Sequence, residues 1–160
     1  MKKFLIIIFL LLLGCANKEY IFIPTNAKCI KKSDVLIGIE EVSLPYYMSD
    51  LEIMKLEKDK LVPTNKYLSK KPTEIIITKL SNMLCDPNIF IYPWGKKPKY
   101  KIDIKIDDFY FVNKKLFLSA RIYINSKFFK VVMSKSCKNE YNCVNEAFNL
   151  IVKKIIKEIK

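Results

Sequence analysis

The stretch YKIDIKIDDFYFV, Tyr100 to Val112, opens with Tyr100, Ile102, Ile104 and Ile106 at every second position and Lys101, Asp103, Lys105 and Asp107 between them. Successive side chains of a strand leave on opposite faces, so this pattern demands a strand with one face buried and the other wet or partner-facing. Such a strand needs paired neighbours and an apolar layer over its buried face. The chain supplies both. Asn113, Lys114 and Lys115 turn into Leu116–Asn125, with Leu116, Leu118, Ala120, Ile122 and Ile124 inward, and Ser126-Lys127 turn again into Phe128–Met133, which together read as a meander.

Two helices fit the covering layer. The first begins near Pro72, a residue suited to a first helical turn, with Ser69 expected to cap it from outside. Its apolar stripe is Ile76, Leu80, Met83 and Leu84, with Thr73, Lys79 and Asn82 largely elsewhere, and Asp86-Pro87 end it. The second runs from about Asn142 to Ile159, with Val144, Ala147, Phe148, Ile151, Ile155 and Ile159 at helical spacing. Lys153, Lys154, Lys157 and Lys160 crowd its C-terminal end, where cations suit the helix dipole. Upstream, Glu19–Pro24, Val35–Val42 and a hairpin of Leu51–Leu56 with Lys60–Val62 read as strands, and Asn88–Pro93 as a further strand region before the bend WGKKPK. The expected fold class is α+β: a mixed, mostly antiparallel sheet with two principal helices packed on one face.

The amino-terminal end answers to different physics. The apolar run Phe4–Leu13 would rise roughly 15 Å as a helix, too little to cross a hydrocarbon core of about 30 Å. Lys2 and Lys3 before it and Gly14 after it describe an export signal cut after Gly14. Leu12, Leu13, Gly14 and Cys15 read L-L-G-C, which resembles the lipobox of bacterial lipoproteins. That resemblance implies a diacylglycerol on the Cys15 thiol and acylation of the new amino terminus, which together anchor firmly. Ala16 rather than Asp after the Cys implies the outer membrane, by similarity to enterobacterial sorting. The expected organisation is a signal peptide over 1–14, a lipidated Cys and short tether over 15–18, and one periplasmic domain over 19–160.

The chain carries 29 Lys plus Arg against 16 Asp plus Glu, a formal net charge of +13. All the basic residues but Arg121 are Lys, so the planar forks that read bases and clamp phosphates are nearly absent, and an exported chain meets no nucleic acid. The charge suits anionic lipid or an acidic protein partner, and an AT-rich genome would give the same composition. Cys29, Cys85, Cys137 and Cys143 are an even set that permits three pairings in an oxidising compartment; the polar KNEYN segment between Cys137 and Cys143 can turn back on itself and favours that bridge, with Cys29–Cys85 as its complement. With no His and no paired C-x-x-C, a zinc site is not expected.

The absence of His also removes Ser-His-Asp, Cys-His and H-E-x-x-H chemistry. Three glycines, at positions 14, 38 and 95, make no phosphate loop. The adjacent carboxylates Asp107-Asp108 and Glu40-Glu41 should point to opposite faces of their strands unless a bulge re-aims one. No catalytic residue, metal or cofactor is therefore expected, and the chain reads as no enzyme. Aromatic residues are the stronger signal. Pro45, Tyr46 and Tyr47 are either a packed bend or part of a binding surface. Tyr92, Trp94, Lys96 and Lys97 have the composition of a partner or membrane contact, with a core role open for the sole Trp.

In order, Cys15, IGIEEVSLPYYM with Pro45 near its end, the hairpin ending at Val62-Pro63, ITKLSNML, Tyr92-Pro93-Trp94 and YKIDIKIDDFYF make the chain resemble the ABC-type transport auxiliary lipoproteins, the PqiC-like family. The landmarks span Glu19 to Ile156. Where the family usually carries a Trp-Ala-Glu-Pro-Leu-like segment, this chain has Tyr67-Leu68-Ser69-Lys70-Lys71, and no partner contact carries over there. The resemblance implies a non-catalytic adaptor on the periplasmic side of the outer membrane, beside an MCE-domain protein and a transport system that moves lipids between membranes. It leaves homo-oligomerisation open. The alternatives are an accessory lipoprotein of lipopolysaccharide or outer-membrane protein assembly, and a free-standing lipid-binding module.

Overall fold

A computed structural model describes residues 17–30, 32, 35–85, 88–93 and 95–159. The export signal, Cys15, the Asp86-Pro87 helix stop and Trp94 lie outside these residues. The elements in chain order are β1 (Glu19–Ile21), β2 (Ile37–Ser43), a 3-10 turn (Tyr46–Met48), β3 (Glu52–Glu57), β4 (Lys60–Leu68), α1 (Pro72–Leu84), β5 (Ile89–Ile91), β6 (Tyr100–Val112), β7 (Lys115–Ile124), β8 (Lys127–Ser136) and α2 (Glu140–Glu158). They form an α+β fold, one mixed eight-stranded sheet with both helices on one face.

β6 is the spine of the sheet. Along one edge it pairs antiparallel with β7, from Ile102↔Ile124 to Val112↔Lys115, and β8 continues outward antiparallel to β7. The opposite edge is shared: β2 lies parallel to the first half, from Ile37↔Tyr100 to Ser43↔Lys105, and β3 lies parallel to the last turn of the strand, at Met54↔Tyr110 and Lys55↔Phe111. β5 adds outside β2, and β4 then β1 add outside β3. The two longest ladders, β6–β7 and β7–β8, are antiparallel.

Three tight turns join the hairpins, and all use a pair of left-handed residues: Lys58 and Asp59 (φ 47° and 61°), Asn113 and Lys114 (44° and 62°), and Asn125 and Ser126 (47° and 71°). Paired positive φ is the type I′ geometry whose twist matches that of the strands. No glycine is present in any of them, so the turn that lacked an Asn-Gly signal in sequence forms anyway, at the steric cost of two Cβ atoms.

The inward faces match the alternation of the sequence. Ile102, Ile104 and Ile106 of β6 and Leu116, Leu118, Ala120, Ile122 and Ile124 of β7 are buried against Val144, Ala147, Phe148, Ile151 and Ile155 of α2. Past Ile106 the buried set changes phase to Phe109 and Phe111 through a bulge between Ile106 and Asp108. α2 starts at Glu140 because Asn139 accepts a hydrogen bond from the N–H of Asn142 through its side chain.

Two expectations for α1 are corrected. Ser69 is no cap: the position before the helix is Lys71, without a side-chain bond, and the Ser69 N–H is committed to the carbonyl of Ile21 at 3.1 Å. Lys79 does not fall off the buried stripe but is 2 % exposed. Its ammonium donates to the Pro24 carbonyl (2.8 Å) and to the side-chain oxygens of Asn145 (2.7 Å) and Asn149 (2.9 Å) of α2, which uses all three of its donors. Helical spacing alone cannot foresee this, because the partners come from another helix and from the segment after β1. That segment is strapped along α1: the Asn82 amide donates to the Thr25 carbonyl (2.7 Å), the Ile30 N–H donates to the Met83 carbonyl (2.7 Å), and Cys29 is bonded to Cys85. No helix among the described residues is long and apolar enough to cross a membrane.

Candidate docking surface

Both helices lie on one face, so the other face of the sheet carries whatever the strands present there. The two adjacent carboxylate pairs behave as only a bulge allows. β2 bulges between Ile39 and Glu41, and β6 between Ile106 and Asp108. Each bulge adds one residue on a strand and turns two successive side chains to the same side. Glu40 thereby reaches Lys101 at 3.5 Å, and Asp107 forms a fork with Arg121, its oxygens accepting from Nε at 2.9 and 3.0 Å. The hydrogen-bonded Asp107 carboxylate raises the pKa of the sole Arg further. Glu40 and Asp107, one acid of each pair, are thus each matched by a cation on a neighbouring strand. Among the described residues no cluster of three or more His, Cys, Asp or Glu side chains could hold a metal.

Pro45, Tyr46 and Tyr47 form the 3-10 corner where β6 exchanges β2 for β3 on one edge. Pro45 and Met48 are buried and Tyr47 is half-buried, so the residues make the packed bend. The Tyr47 hydroxyl accepts the N–H of Phe109 at 3.0 Å. Burial pushes the phenol up to about 12, partly offset by that N–H and reinforced by nearby Asp108. Tyr46, in contrast, is 90 % exposed with its ring 5.6 Å from that of Tyr47. The sequence left both readings of this stretch open, and the structure divides them residue by residue.

Tyr92, Lys96 and Lys97 lie elsewhere, in the connection that leaves β5 and returns to β6. Tyr92 is 59 % exposed, its N–H bonded to the Ile39 carbonyl at 2.9 Å, and a cis Tyr92-Pro93 peptide turns the chain. The Lys99 N–H donates to the Leu36 carbonyl at 2.9 Å, which closes the connection beside the start of β2. Beside it is a hollow of about 250 Å³ lined by Leu36, Gly38, Phe90, Gly95, Lys96 and Pro98, mostly apolar with Lys96 as its cation. The sequence reading missed Phe90 and Ile91, each 49 % exposed on β5. A signal existed: a short apolar run bounded by Pro87 and Pro93 marks an edge strand, since Pro cannot serve an interior ladder. The disulfide expectations hold, with Cα separations of 5.6 Å for Cys29–Cys85 and 5.8 Å for Cys137–Cys143.

No protein-family model and no curated protein matches this chain. Solved structures do. A structure described as that of an uncharacterized protein shares 15 % identity over 89 % of this chain and 99 % of its own, with a TM-score of 0.62. A Xanthomonas campestris protein of family DUF330 shares 10 % identity over 88 % of this chain and 91 % of its own, with a TM-score of 0.59. At such identities the likeness establishes the fold alone: the whole arrangement of sheet and two helices recurs in other chains, with nearly every side chain changed.

Proposed function

We propose that this chain is a lipid-anchored, non-catalytic adaptor on the periplasmic side of the outer membrane, serving an MCE/ABC-type intermembrane lipid transport system as an auxiliary lipoprotein of the PqiC-like family. The observation that carries the proposal is L-L-G-C at Leu12–Cys15 behind a short apolar run. An acylated Cys15 followed by three residues before β1 would hold the domain close to the bilayer. The landmarks that lie within the described residues support the family reading because they fall on or beside defined elements: β2, the buried Pro45, the β3–β4 hairpin, the end of α1, Tyr92-Pro93 after β5, and β6. The hollow beside Gly38 measures about 250 Å³, and a larger one of about 590 Å³ is lined by Glu19, Lys66, Lys114, Lys138 and Glu140, charged groups that suit a polar contact better than a lipid chain.

Mass analysis of the membrane-extracted protein tests the anchor. A diacylglyceryl thioether at Cys15 with the amino terminus at that residue supports it, and an unmodified thiol overturns it. Crosslinking in cells tests the partner: recovery of an MCE-domain protein supports the transport reading. Recovery of only lipopolysaccharide or barrel-assembly machinery defeats that reading.

A further inference from the structure

Three strands leave an edge of the described sheet open: β1, β5 and β8. Open edges invite another strand, and proteins usually blunt them with charge. β8 follows that rule with Lys127, Lys130 and Lys135 among its ten residues, and β1 is followed by the strap that leads across α1. β5 breaks it. Its sequence is Ile-Phe-Ile, continued by Tyr92, and Phe90, Ile91 and Tyr92 are all about half exposed or more.

The ladder fixes which backbone groups of β5 face outward. The Ile37 N–H donates to the Asn88 carbonyl (3.0 Å) and the Tyr92 N–H to the Ile39 carbonyl (2.9 Å), in the parallel register Ile37↔Ile89, Gly38↔Phe90, Ile39↔Ile91. In a parallel ladder alternate residues of a strand serve one neighbour, here 88, 90 and 92 toward β2. The N–H and C=O groups of Ile89 and Ile91 therefore point to the open side, at the spacing a further strand would use. Side chains fix the rest. Ile89 belongs to the core, so Ile89 and Ile91 flank the helix side, while Phe90, opposite Gly38, lies on the helix-free side and lines the same hollow as Lys96.

We propose that β5 is the acceptor edge for an extended segment of a partner protein with alternating apolar and acidic residues, bound by strand addition. Its apolar residues would extend the Ile89–Ile91 side, and its carboxylates would meet Lys96 and Lys97 on the other. Charge selects this occupant over a second copy. Pairing two β5 edges would set the same lysines of two strongly basic chains against each other. The inference rests on the edge and not on the anchor, so it survives or fails independently of acylation at Cys15.

The test uses the full-length chain in nonionic detergent micelles, probed with a ten-residue capped peptide of alternating Val and Glu at millimolar concentration. Amide exchange at Ile89 and Ile91 should slow by about tenfold or more as their groups become bonded. A Val-Lys peptide of the same length should leave them unchanged. Ile91→Pro deletes an outward N–H without touching the β2 ladder and should abolish protection at Ile89. Lys96→Glu with Lys97→Glu should weaken binding about tenfold with the melting temperature unchanged, which keeps the test decisive if the Pro variant folds poorly. No protection at Ile89 and Ile91 with saturating Val-Glu peptide, or equal protection by Val-Lys, overturns the proposal. So does protection of this edge by anionic phosphatidylglycerol vesicles but by no peptide, which would make it a membrane contact.

Discussion

The backbone N–H of Phe109 donates to the hydroxyl of Tyr47 at 3.0 Å, at the point along β6 where the neighbouring strand changes from β2 to β3. A strand that is handed from one partner to another leaves backbone groups uncovered in the gap, and an uncovered buried donor is costly. A side chain on the corner between those two partners fills the role of a ladder acceptor. Tyr47→Phe keeps the ring and removes the acceptor, so it should cost about 1–2 kcal/mol in urea unfolding. A variant with unchanged stability would show that water serves Phe109 equally well.

The same hydroxyl gives an alkaline signature. Its folded pKa, about 12, lies above the ordinary value of 10.0, so the fold favours the neutral phenol. The unfolded chain then releases its proton first as pH rises. The resulting stability is whole below pH 10 and is lost between about pH 10 and 12. Lysines titrate in that window in both proteins, so the difference is the measurement: the stability gap between the parent and Tyr47→Phe should narrow from pH 10 to 12. A gap constant with pH would separate the phenol from the fold's alkaline limit.

Lys79 tests the layer of helices. Removing its charge as Lys79→Met abolishes the cost of burying an ammonium without a carboxylate, but it strands the oxygens of Pro24, Asn145 and Asn149. The two Asn residues are partly exposed and Pro24 is exposed, so water can take up part of the loss, while the Thr25 and Ile30 bonds are left to hold the strap over α1. The balance should be a loss of about 1–3 kcal/mol. Exchange at the Ile30 amide, bonded to the Met83 carbonyl at 2.7 Å, should accelerate as the strap loosens. Unchanged exchange there would mean that the remaining links hold the strap by themselves.

What could be read from the chain alone follows from range. The alternation of β6 and β7, the stripe of α2 and the three-strand meander are local patterns, and each lies where its period places it. The disulfides were partly legible: the even count and the KNEYN turn point to bridges, but the choice among three pairings depends on the strap that brings Cys29 to Cys85. Lys79 was not, since its identity as a core residue depends on acceptors 55 to 70 positions away. The bulges at Glu40 and Asp107 leave no mark beyond a change in alternation, visible for Asp107-Asp108 and hidden for Glu40-Glu41 by the apolar run before it. The docking edge was half legible: Tyr92, Lys96 and Lys97 carry the composition of a contact, but the openness of β5 depends on which strand lies outermost, a property of topology.

The two disulfides should differ in worth. In the chain-entropy account a crosslink stabilises by shrinking the unfolded ensemble, more for a longer loop. Cys29–Cys85 spans a separation of 56 and Cys137–Cys143 only 6. The double replacements Cys29→Ala with Cys85→Ala, and Cys137→Ala with Cys143→Ala, should cost about 4 and about 2 kcal/mol respectively. Chemical denaturation of each against the parent measures both. Equal losses would point to native-state packing, since Cys143 is buried while Cys29 and Cys85 are exposed.

Turns offer the opposite sign. Asp59 holds φ at 61° in the β3–β4 hairpin, where an L side chain crowds its own backbone and glycine does not. Glycine also enlarges the unfolded ensemble, which subtracts about 0.5–1 kcal/mol from any relief of about 1–2 kcal/mol. Relief exceeds that loss, so Asp59→Gly should stabilise the chain by about 0.5–1 kcal/mol, read as a rise in melting temperature. Asp59 is exposed, which leaves little packing to lose. A fall in melting temperature would mean that the side chain steadies the turn by more than its Cβ strains it, and the same substitution at Lys114, φ 62° in the β6–β7 turn, would then separate a general property of these turns from one of Asp59 alone.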